Sequence, residues 1–182
     1  MRVISGEKKG FSLKAVPGVS TRPTTDKVKE SIFNIIGPYF SGGIALDLYA
    51  GSGGLGIEAL SRGMERTIFV DQNQKAIEVV KQNLAFCGFE NRAEVYRNDA
   101  NRALKALVKR NIAFTYVFLD PPYGTENIAN EIRILLDFDL IGKDATIVCE
   151  HAKQVELPEE IGAIRKKRSE TYGDTTISIY TY

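Results

Sequence analysis

An acidic residue, two prolines and an aromatic residue stand in a row at 120–123, and this order suggests a site that holds an amino group. Asp120-Pro121-Pro122-Tyr123 directly follows the apolar run 116–119. A strand that reaches two prolines must leave its sheet with a defined geometry, because proline has no backbone N–H and a fixed φ angle. The Asp120 carboxylate and the Pro121 carbonyl could then accept both hydrogens of an exocyclic base amine, whose lone pair stays free to attack an electrophile. Tyr123 could stack on the base; the alternative is an ordinary Asp-Pro turn.

A glycine-rich loop upstream predicts a cofactor site. Residues 47–56 read Asp-Leu-Tyr-Ala-Gly-Ser-Gly-Gly-Leu-Gly, and a helical pattern begins near Gly54. Glycines permit a tight turn and a close approach of backbone to ligand, and the start of a helix offers unpaired N–H groups. Asp71 closes the next apolar run at the spacing of ~20 residues expected for an acid that holds ribose hydroxyls. The spacing fits a dinucleotide and S-adenosylmethionine equally well.

Asp47 favours one of these two cofactors over the other. A carboxylate just before the glycines would repel a pyrophosphate but suits the ammonium group of a methionine moiety, as in S-adenosylmethionine. Asp99 follows the third predicted strand and could accept a hydrogen bond from the adenine amine. It could also cap the next helix, and both roles are compatible.

Helical spacing of apolar residues alternates with short apolar strands. The predicted helices contain the stripes Val28-Ile32-Ile35-Ile36, Ala100-Leu104-Leu107-Val108 and Ile128-Ile132-Leu135-Leu136, with further helices over 54–62 and 73–86. The predicted strands are 44–48, 67–70, 93–96, 116–119 and 146–149. This alternation predicts an α/β fold, a Rossmann-like three-layer sandwich whose mostly parallel sheet is covered on both faces.

Four acids fall at or just beyond the carboxyl ends of these strands, where ligands of parallel sheets collect. They are Asp47, Asp71, Asp99 and Asp120. The sequence therefore predicts one rim of the sheet that combines the cofactor loop with the Pro-Pro turn.

The two ends of the chain predict hairpins. Residues 164–170 and 176–182 flank Tyr172-Gly173-Asp174, which predicts a C-terminal antiparallel hairpin that completes a seven-stranded sheet. Two short extended pieces around residues 6–10 predict a small N-terminal β-hairpin. The chain is expected to form a single domain, with residues 1–20 as a basic hairpin extension and 21–182 as the catalytic core.

Basic residues concentrate near both ends, although the net charge of the 182 residues is only +1. Residues 1–30 carry seven basic against three acidic side chains, and Arg165-Lys166-Lys167-Arg168 forms a second cluster. Together the two clusters could line a surface that binds nucleic acid; the alternative is a solvated surface, with the hairpin as a flap over the sheet.

Other residue types argue against several kinds of site. Cys87 and Cys149 are far apart and show no C-x-x-C spacing, so we expect buried, reduced thiols and no metal. His151, the only histidine, adjoins an apolar strand and is expected to be structural or solvent-facing rather than catalytic. The absence of a membrane-spanning run and of a signal peptide predicts a cytoplasmic location.

The motifs resemble those of the bacterial small-subunit ribosomal RNA guanine-N2 methyltransferases, the RsmD family. The resemblance runs from Arg2 to the end of the chain. It is carried by Arg2-Val3-Ile4-Ser5-Gly6, Arg22-Pro23-Thr24-Thr25-Asp26 with Glu30-Ser31-Ile32-Phe33-Asn34, residues 47–63, Asp120 to Tyr123, and Tyr172-Gly173. Tyr49 and Gly54 stand where the family pattern has Phe and Ala. The resemblance implies a class I methyltransferase fold, S-adenosylmethionine as donor, and a guanine of 16S ribosomal RNA as acceptor, within a small subunit or an assembly intermediate.

The predicted site residues form three groups. Catalytic residues are Asp120, Pro121, Pro122 and Tyr123; cofactor-binding residues are Asp47, Ala50, Gly51, Ser52, Gly53, Asp71, Asp99 and Ala100; RNA-binding residues are Arg2, Lys8, Lys9, Arg22 and Thr24. Because the same acid and carbonyl could hold guanine N2, adenine N6 or cytosine N4, only the resemblance selects guanine. Three alternatives stay open: a DNA or other RNA amino-methyltransferase, a nicotinamide-dependent oxidoreductase, and a non-catalytic RNA-binding module.

Overall fold

Helices and strands alternate through the part of the chain that the structure, a computed structural model, describes: residues 1–18, 24–123 and 127–182. The helices are α1 (Asp26–Ile36), α2 (Gly54–Ser61), α3 (Gln74–Cys87), α4 (Ala100–Val108) and α5 (Ile128–Asp137). The strands are β1 (Ile44–Asp47), β2 (Arg66–Asp71), β3 (Ala93–Arg97), β4 (Phe114–Leu119), β5 (Ile141–Ala152), β6 (Glu160–Ile161), β7 (Ile164–Tyr172) and β8 (Thr175–Thr181). The predicted helices and strands are confirmed, but β5 extends beyond the predicted 146–149 at both ends.

One mixed sheet runs through the described residues in the order β3-β2-β1-β4-β5-β8-β7-β6. The strands from β3 to β5 in this order are parallel to their neighbours, and β8, β7 and β6 are antiparallel. The fold class is confirmed, including the C-terminal hairpin, but the predicted count of seven strands is wrong. The eighth strand, β6, has two residues and is too short to show an alternating pattern.

Two hydrophobic clusters cover the two faces of the sheet. Because successive strand residues point to opposite faces, Leu46 packs with α4 and α5, while its neighbour Ala45 packs with α1, α2 and α3. The same separation divides Leu119 from Phe118. The three-layer arrangement predicted from the alternating elements is therefore present.

The N-terminal residues form the predicted small hairpin. The Val3 N–H donates to the Phe11 carbonyl at 2.9 Å, and the Gly10 N–H donates back to Val3 at 2.8 Å. The hairpin lies against the end of α2, where a Cβ on Gly6 would stand 1.8 Å from the Ser61 carbonyl oxygen. Gly6 also has a φ of +88°, so this close approach requires glycine.

A buried group of three charges fixes the hairpin to the core. Glu58 accepts hydrogen bonds from the Ile4 and Ser5 N–H groups at 2.8 and 3.0 Å. The same carboxylate lies 3.3 Å from Lys29 Nζ and 2.8 Å from Arg62 Nε, and all three side chains are buried. Since each charge has an opposite partner, the group links the hairpin to α1 and α2 without leaving an isolated buried charge.

The prediction of buried, reduced thiols is confirmed. Cys87 and Cys149 are free, buried thiols. His151 is buried rather than solvent-facing, and its Nε2 lies 2.8 Å from Ser178 Oγ. Across the described ranges, every helix falls short of the length and apolarity needed to span a membrane.

Candidate active site

Acidic residues line the carboxyl ends of four neighbouring strands. Asp71 ends β2, Asp47 ends β1, Asp120 follows β4, and Glu150 lies near the end of β5. The parallel register places Leu119 opposite Cys149, which brings Asp120 level with Glu150. The sheet order therefore brings Asp71, Asp47 and Asp120 to one rim, as the sequence predicts, and adds Glu150.

The glycine loop between β1 and α2 has the geometry that glycine alone adopts easily. Gly51 and Gly53 have φ angles of +56° and +86°, and Gly53 is the residue that precedes α2. A Cβ on Gly56 would lie 2.3 Å from the Phe69 ring, so glycine at this position lets α2 pack closely on β2. The first turn of α2 thus stands directly beside the end of β1.

Asp47 lies beneath this helix start and is only 1% exposed. Its Oδ2 accepts a hydrogen bond from the Gly56 N–H at 3.0 Å. Burial raises the pKa of Asp47 to about 7, the Gly56 hydrogen bond acts in the opposite direction, and the charge of Asp71 adds to the rise. A bound cation would therefore stabilise the ionised form of Asp47 near neutral pH.

Asp71 and Asp99 organise the neighbouring loops. Asp71 accepts from the Gly51 N–H through Oδ2 and from the Asn73 N–H through Oδ1, both at 2.9 Å. Asp99 caps α4 by accepting from the Arg102 N–H at 3.1 Å, which confirms the helix-capping role. Asp71 thus ties the glycine loop to the start of α3, and exposed Asp99 stands beside Ala100 at the start of α4.

The Pro-Pro turn leaves the sheet beside the glycine loop. Pro121 is buried, Pro122 is exposed, and Tyr123 is 54% exposed with its hydroxyl 2.7 Å from Thr175 Oγ1. Asp120 is half-buried. Burial together with the charges of Glu150 and Asp47 raises its pKa well above the usual range. The turn therefore presents an open aromatic ring next to a carboxyl group that holds a proton unusually strongly.

Glu150 is a site residue that the sequence reasoning missed. It is 8% exposed, it lies level with Asp120 on the neighbouring strand, and its Oε2 accepts from Thr24 Oγ1 at 2.8 Å. Thr24, predicted to contact RNA, thus uses its hydroxyl within the protein. Glu150 follows the apolar run 146–149 just as Asp120 follows 116–119, and this repeated placement was the signal available.

The structure separates the other predicted RNA-binding residues. Arg2 is exposed near the start of α1, where its Nε lies 3.5 Å from Asp26 Oδ2. Lys8 and Lys9 lie at the hairpin tip beside Ser61, at the end of α2 that is farthest from the rim. Because α2 has eight residues, this separation is about 12 Å along the helix. Arg22 lies outside the described residues.

The C-terminal basic cluster lies at the opposite end of the sheet from the acidic rim. Arg165 is level with Thr181 of β8, which pairs with Thr146 in the first half of β5. Three of its basic side chains form ion pairs: Arg165 with Glu160, Lys166 with Glu159 and Arg168 with Glu170. The ion pairs reduce the positive charge that this cluster presents, and a surface shared with the N-terminal hairpin stays a prediction.

Tyr49 joins the glycine loop to α5 through a buried carboxyl group. Its hydroxyl donates a short hydrogen bond to Oε1 of Glu131, which is 1% exposed. Glu131 Oε2 has no hydrogen-bond partner among the described residues. Burial raises the pKa of Glu131 to about 7, although the Tyr49 hydrogen bond lowers it. Tyr49, one of the two departures from the family pattern, thus partners a carboxyl group that a phenylalanine would leave unpaired.

We expect Tyr49→Phe to destabilise the protein more at alkaline than at acidic pH. Above pH ~7 Glu131 is ionised, so the substitution removes a charged hydrogen bond and should lower the free energy of unfolding by about 1.5–3 kcal/mol. At pH ~6 Glu131 is protonated, and the expected loss of unfolding free energy is about 1 kcal/mol. Denaturant unfolding at the two pH values measures both losses. Tyr116→Phe is the matched control, because its hydroxyl donates to the Ile36 carbonyl, which does not titrate. Equal losses at both pH values for Tyr49→Phe would contradict the assignment.

Comparisons with known proteins agree with this geometry. A family model described as Conserved hypothetical protein 95 matches residues 1–181. A Bacillus subtilis protein named "Putative rRNA methyltransferase YlbH" is 58% identical over 99% of this chain and 98% of its own length. The Escherichia coli "Ribosomal RNA small subunit methyltransferase D" is 29% identical over 99% of this chain and 89% of its length.

A solved structure shows the same fold. The chain titled "Putative methyltransferase yhhF from Escherichia coli" superposes with a TM-score of 0.82 at 29% identity, over 99% of this chain and 96% of that one. The three-layer arrangement of one sheet between two layers of helices is thus a class I, Rossmann-like methyltransferase fold. Within the described ranges, no group of three or more His, Cys, Asp and Glu side chains could hold a metal ion.

Proposed function

The chain belongs to the family described as Conserved hypothetical protein 95, the RsmD family, and we propose that it methylates the exocyclic N2 amine of a guanine in 16S ribosomal RNA. One observation carries this proposal: the glycine loop after β1 and the Pro-Pro turn after β4 lie side by side, because β1 and β4 are neighbours. A methyl donor on the loop and a base on the turn would therefore meet. The names of the relatives support ribosomal RNA as the acceptor.

The proposed donor is S-adenosylmethionine, which supplies an electrophilic methyl group. Asp47 would hold its ammonium group, Asp71 its ribose hydroxyls, and Asp99 its adenine amine. The backbone of Ala50, Gly51, Ser52, Gly53 and Ala100 would surround it. The positive φ angles of Gly51 and Gly53 support this role, since they turn the loop without side chains in the way.

Positioning is the main source of catalysis in the proposed reaction. Asp120 and the Pro121 carbonyl would accept the two amine hydrogens, Tyr123 would stack on the base, and Pro122 would keep the turn rigid. Hydrogen bonding of this kind orients the nitrogen lone pair, and the negative charge of the acidic rim stabilises positive charge that develops on nitrogen. A target guanine would have to leave its stack, which is easiest in an RNA loop.

Transfer from labelled S-adenosylmethionine tests this function. Free 16S RNA, small ribosomal subunits and duplex DNA are incubated separately with the protein, and the modified nucleotide is mapped. We expect label on guanine N2 of 16S RNA, in free RNA or in subunits, and we propose that the protein acts in the cytoplasm with this substrate. Label in duplex DNA, or on adenine N6 or cytosine N4, would show that the proposed acceptor is wrong. Failure to bind S-adenosylmethionine would show that the protein is not a methyltransferase that uses this donor.

We further propose that Arg2, Lys8, Lys9, Arg22 and the backbone of Thr24 contact the RNA. Each phosphate contact that is lost should reduce the slope of log affinity against log salt by ~0.7 for single-stranded RNA. Lys8→Ala/Lys9→Ala should therefore flatten the slope by about 1.4, and Arg22→Ala by about half as much. Lys105→Ala/Lys109→Ala, which removes two exposed lysines from α4 and its C-terminal cap, is the matched control. An unchanged slope for the Lys8 and Lys9 variant would make the hairpin a flap without an RNA contact.

A further inference from the structure

We propose that Glu150 is a positioning residue for methyl transfer. Glu150 orients the Asp120 carboxyl group toward the target amine, and it takes up a proton through Asp120 at the end of the step. This inference rests on the proposed function. It starts from two contacts in one row: Thr24 Oγ1 donates to Glu150 Oε2 at 2.8 Å, and the Glu150 carboxyl group lies beside that of Asp120, because the register of β4 and β5 brings the two residues level.

Two carboxyl groups that hydrogen-bond to each other must share a proton, because two carboxylates offer only acceptors. The position of this proton follows from the surroundings of each group. Burial raises the pKa of both groups, but Thr24 donates to Glu150 and stabilises its ionised form, whereas the charges of Glu150 and Asp47 further oppose ionisation of Asp120. The proton therefore belongs to Asp120, whose O–H donates to Glu150 and whose second oxygen is left as an acceptor.

This arrangement fixes the direction of the Asp120 carboxyl group. Glu150 is buried on β5, and Thr24 holds it from the segment before α1, so one Asp120 oxygen is directed toward β5. Asp120 is half-buried, and its second oxygen can face a base beside the exposed Tyr123 ring. Thr24 directly precedes the cap of α1, and its hydroxyl thus gains a defined role beside the reacting centre.

The proton balance of the step follows directly. The amine nitrogen forms a bond to the methyl carbon, and the carbon–sulfur bond breaks with its electron pair kept by sulfur. The amine proton passes to the free Asp120 oxygen while the first Asp120 proton moves to Glu150. The pair then holds two protons, one of which is released to water after the product leaves.

This balance predicts a bell-shaped pH profile for single-turnover methyl transfer, measured from pH ~5.5 to ~9. The rate falls at low pH because a doubly protonated pair cannot accept a proton. It falls at high pH because the pair loses its shared proton and two adjacent carboxylates repel each other. The titratable groups that act on Asp120 are Glu150 on β5 and Asp47 on β1, and Thr24 adds a hydroxyl on the other side of Glu150.

Glu150→Gln provides the main test. We expect the maximal rate to fall about tenfold to a hundredfold, because Asp120 is then held less well. The fall of the rate at low pH stays, because Asp120 beside the neutral glutamine still has to be ionised to accept a proton. The fall at high pH disappears, because the glutamine amide can donate a hydrogen bond to ionised Asp120 and no shared proton is needed. Glu156→Gln, at an exposed position, is the matched control and should keep the bell shape.

Thr24 provides a second, independent test that leaves Glu150 in place. Thr24→Val removes the donor that stabilises ionised Glu150, so the acid limb should move to higher pH by about one unit. Thr24→Ser keeps a hydroxyl and should return the acid limb to its wild-type position. Tight binding of S-adenosylmethionine to all variants, measured directly, would show that the changes concern the transfer step.

The outcomes separate this inference from the proposed function. If the wild type transfers methyl groups but its profile and that of Glu150→Gln have the same shape, Glu150 has no role in proton uptake and the inference is wrong. An unshifted acid limb in Thr24→Val would also overturn it. If the wild type transfers no methyl group to RNA at all, the proposed function fails, and this inference fails with it.

Discussion

Asp120→Ala should reduce methyl transfer by about 10²- to 10³-fold while S-adenosylmethionine binds with nearly unchanged affinity. The magnitude is that of removing one preorganised hydrogen-bonding group from a transition state. Asp120 lies on the turn after β4, whereas the predicted donor site lies on the loop after β1, so the variant removes a contact to the amine and none to the donor. Single-turnover rates and equilibrium cofactor binding, measured on one preparation, separate the two effects.

The control for this variant is Asp120→Asn. Its amide oxygen can still accept one hydrogen of the amine, so we expect an activity between those of the wild type and the alanine variant. Neither substitution should destabilise the fold strongly, because both remove a carboxyl group whose ionisation is opposed by burial and by the charges of Glu150 and Asp47. Full turnover in Asp120→Ala would remove Asp120 from the mechanism, and an equal loss of cofactor affinity would make it a binding residue.

Asp47→Asn should weaken S-adenosylmethionine binding about tenfold to a hundredfold at pH ~8. A hydrogen bond to a charged group contributes about 1.5–3 kcal/mol, and each 1.4 kcal/mol corresponds to a factor of ten in affinity. Asparagine keeps the shape of Asp47 and can still accept from the Gly56 N–H, so the substitution removes the negative charge alone. Isothermal titration of the cofactor measures the loss.

The pH dependence of binding distinguishes Asp47 from other acids at the rim. Because burial raises the pKa of Asp47 to about 7, the wild-type protein should bind the cofactor more tightly as pH increases from ~6 to ~8. Asp47→Asn should show no such increase. The same raised pKa means that the folded protein holds a proton that the unfolded chain releases, so Asp47 costs stability as pH rises from ~4 to ~7. Asp47→Asn should therefore be the more stable protein at pH ~8. If the variant shows the same pH dependence of cofactor binding as the wild type, Asp47 does not hold the ammonium group.

Sequence patterns predicted the fold because local and global preferences agree along this chain. The stripe Val28-Ile32-Ile35-Ile36 defines one face of α1, and Asn73 and Asp99 cap the starts of α3 and α4. In a parallel sheet, the carboxyl ends of neighbouring strands meet at one edge, so the sequence alone predicts that Asp47, Asp71 and Asp120 lie together. The positive φ angles of Gly51 and Gly53 likewise follow from their residue type.

The features that escaped sequence reasoning depend on contacts distant along the chain. Glu150 lies inside a twelve-residue strand whose apolar run stops at Cys149, and its role depends on Thr24, 126 residues away. Lys29, Glu58 and Arg62 look like solvated charges on helices, and only tertiary packing shows that they form a buried group.

The basic cluster Arg165–Arg168 illustrates the same limit for charge. In sequence it is a run of four positive charges, but strand pairing and a turn bring Glu159 and Glu160 beside it, and Glu170 follows on the same strand. Net charge along the sequence therefore overestimated the positive surface near the C-terminus. The basic residues of the N-terminal hairpin remain the ones that we propose for RNA.

A structure of the protein with bound S-adenosylmethionine tests the central claim most directly. We predict the methionine ammonium group at Asp47, the ribose at Asp71 and the methyl carbon on the side of the sulfur that faces Asp120 and the Pro121 carbonyl. A cofactor bound away from the glycine loop, or a methyl group directed away from the Pro-Pro turn, would contradict the account.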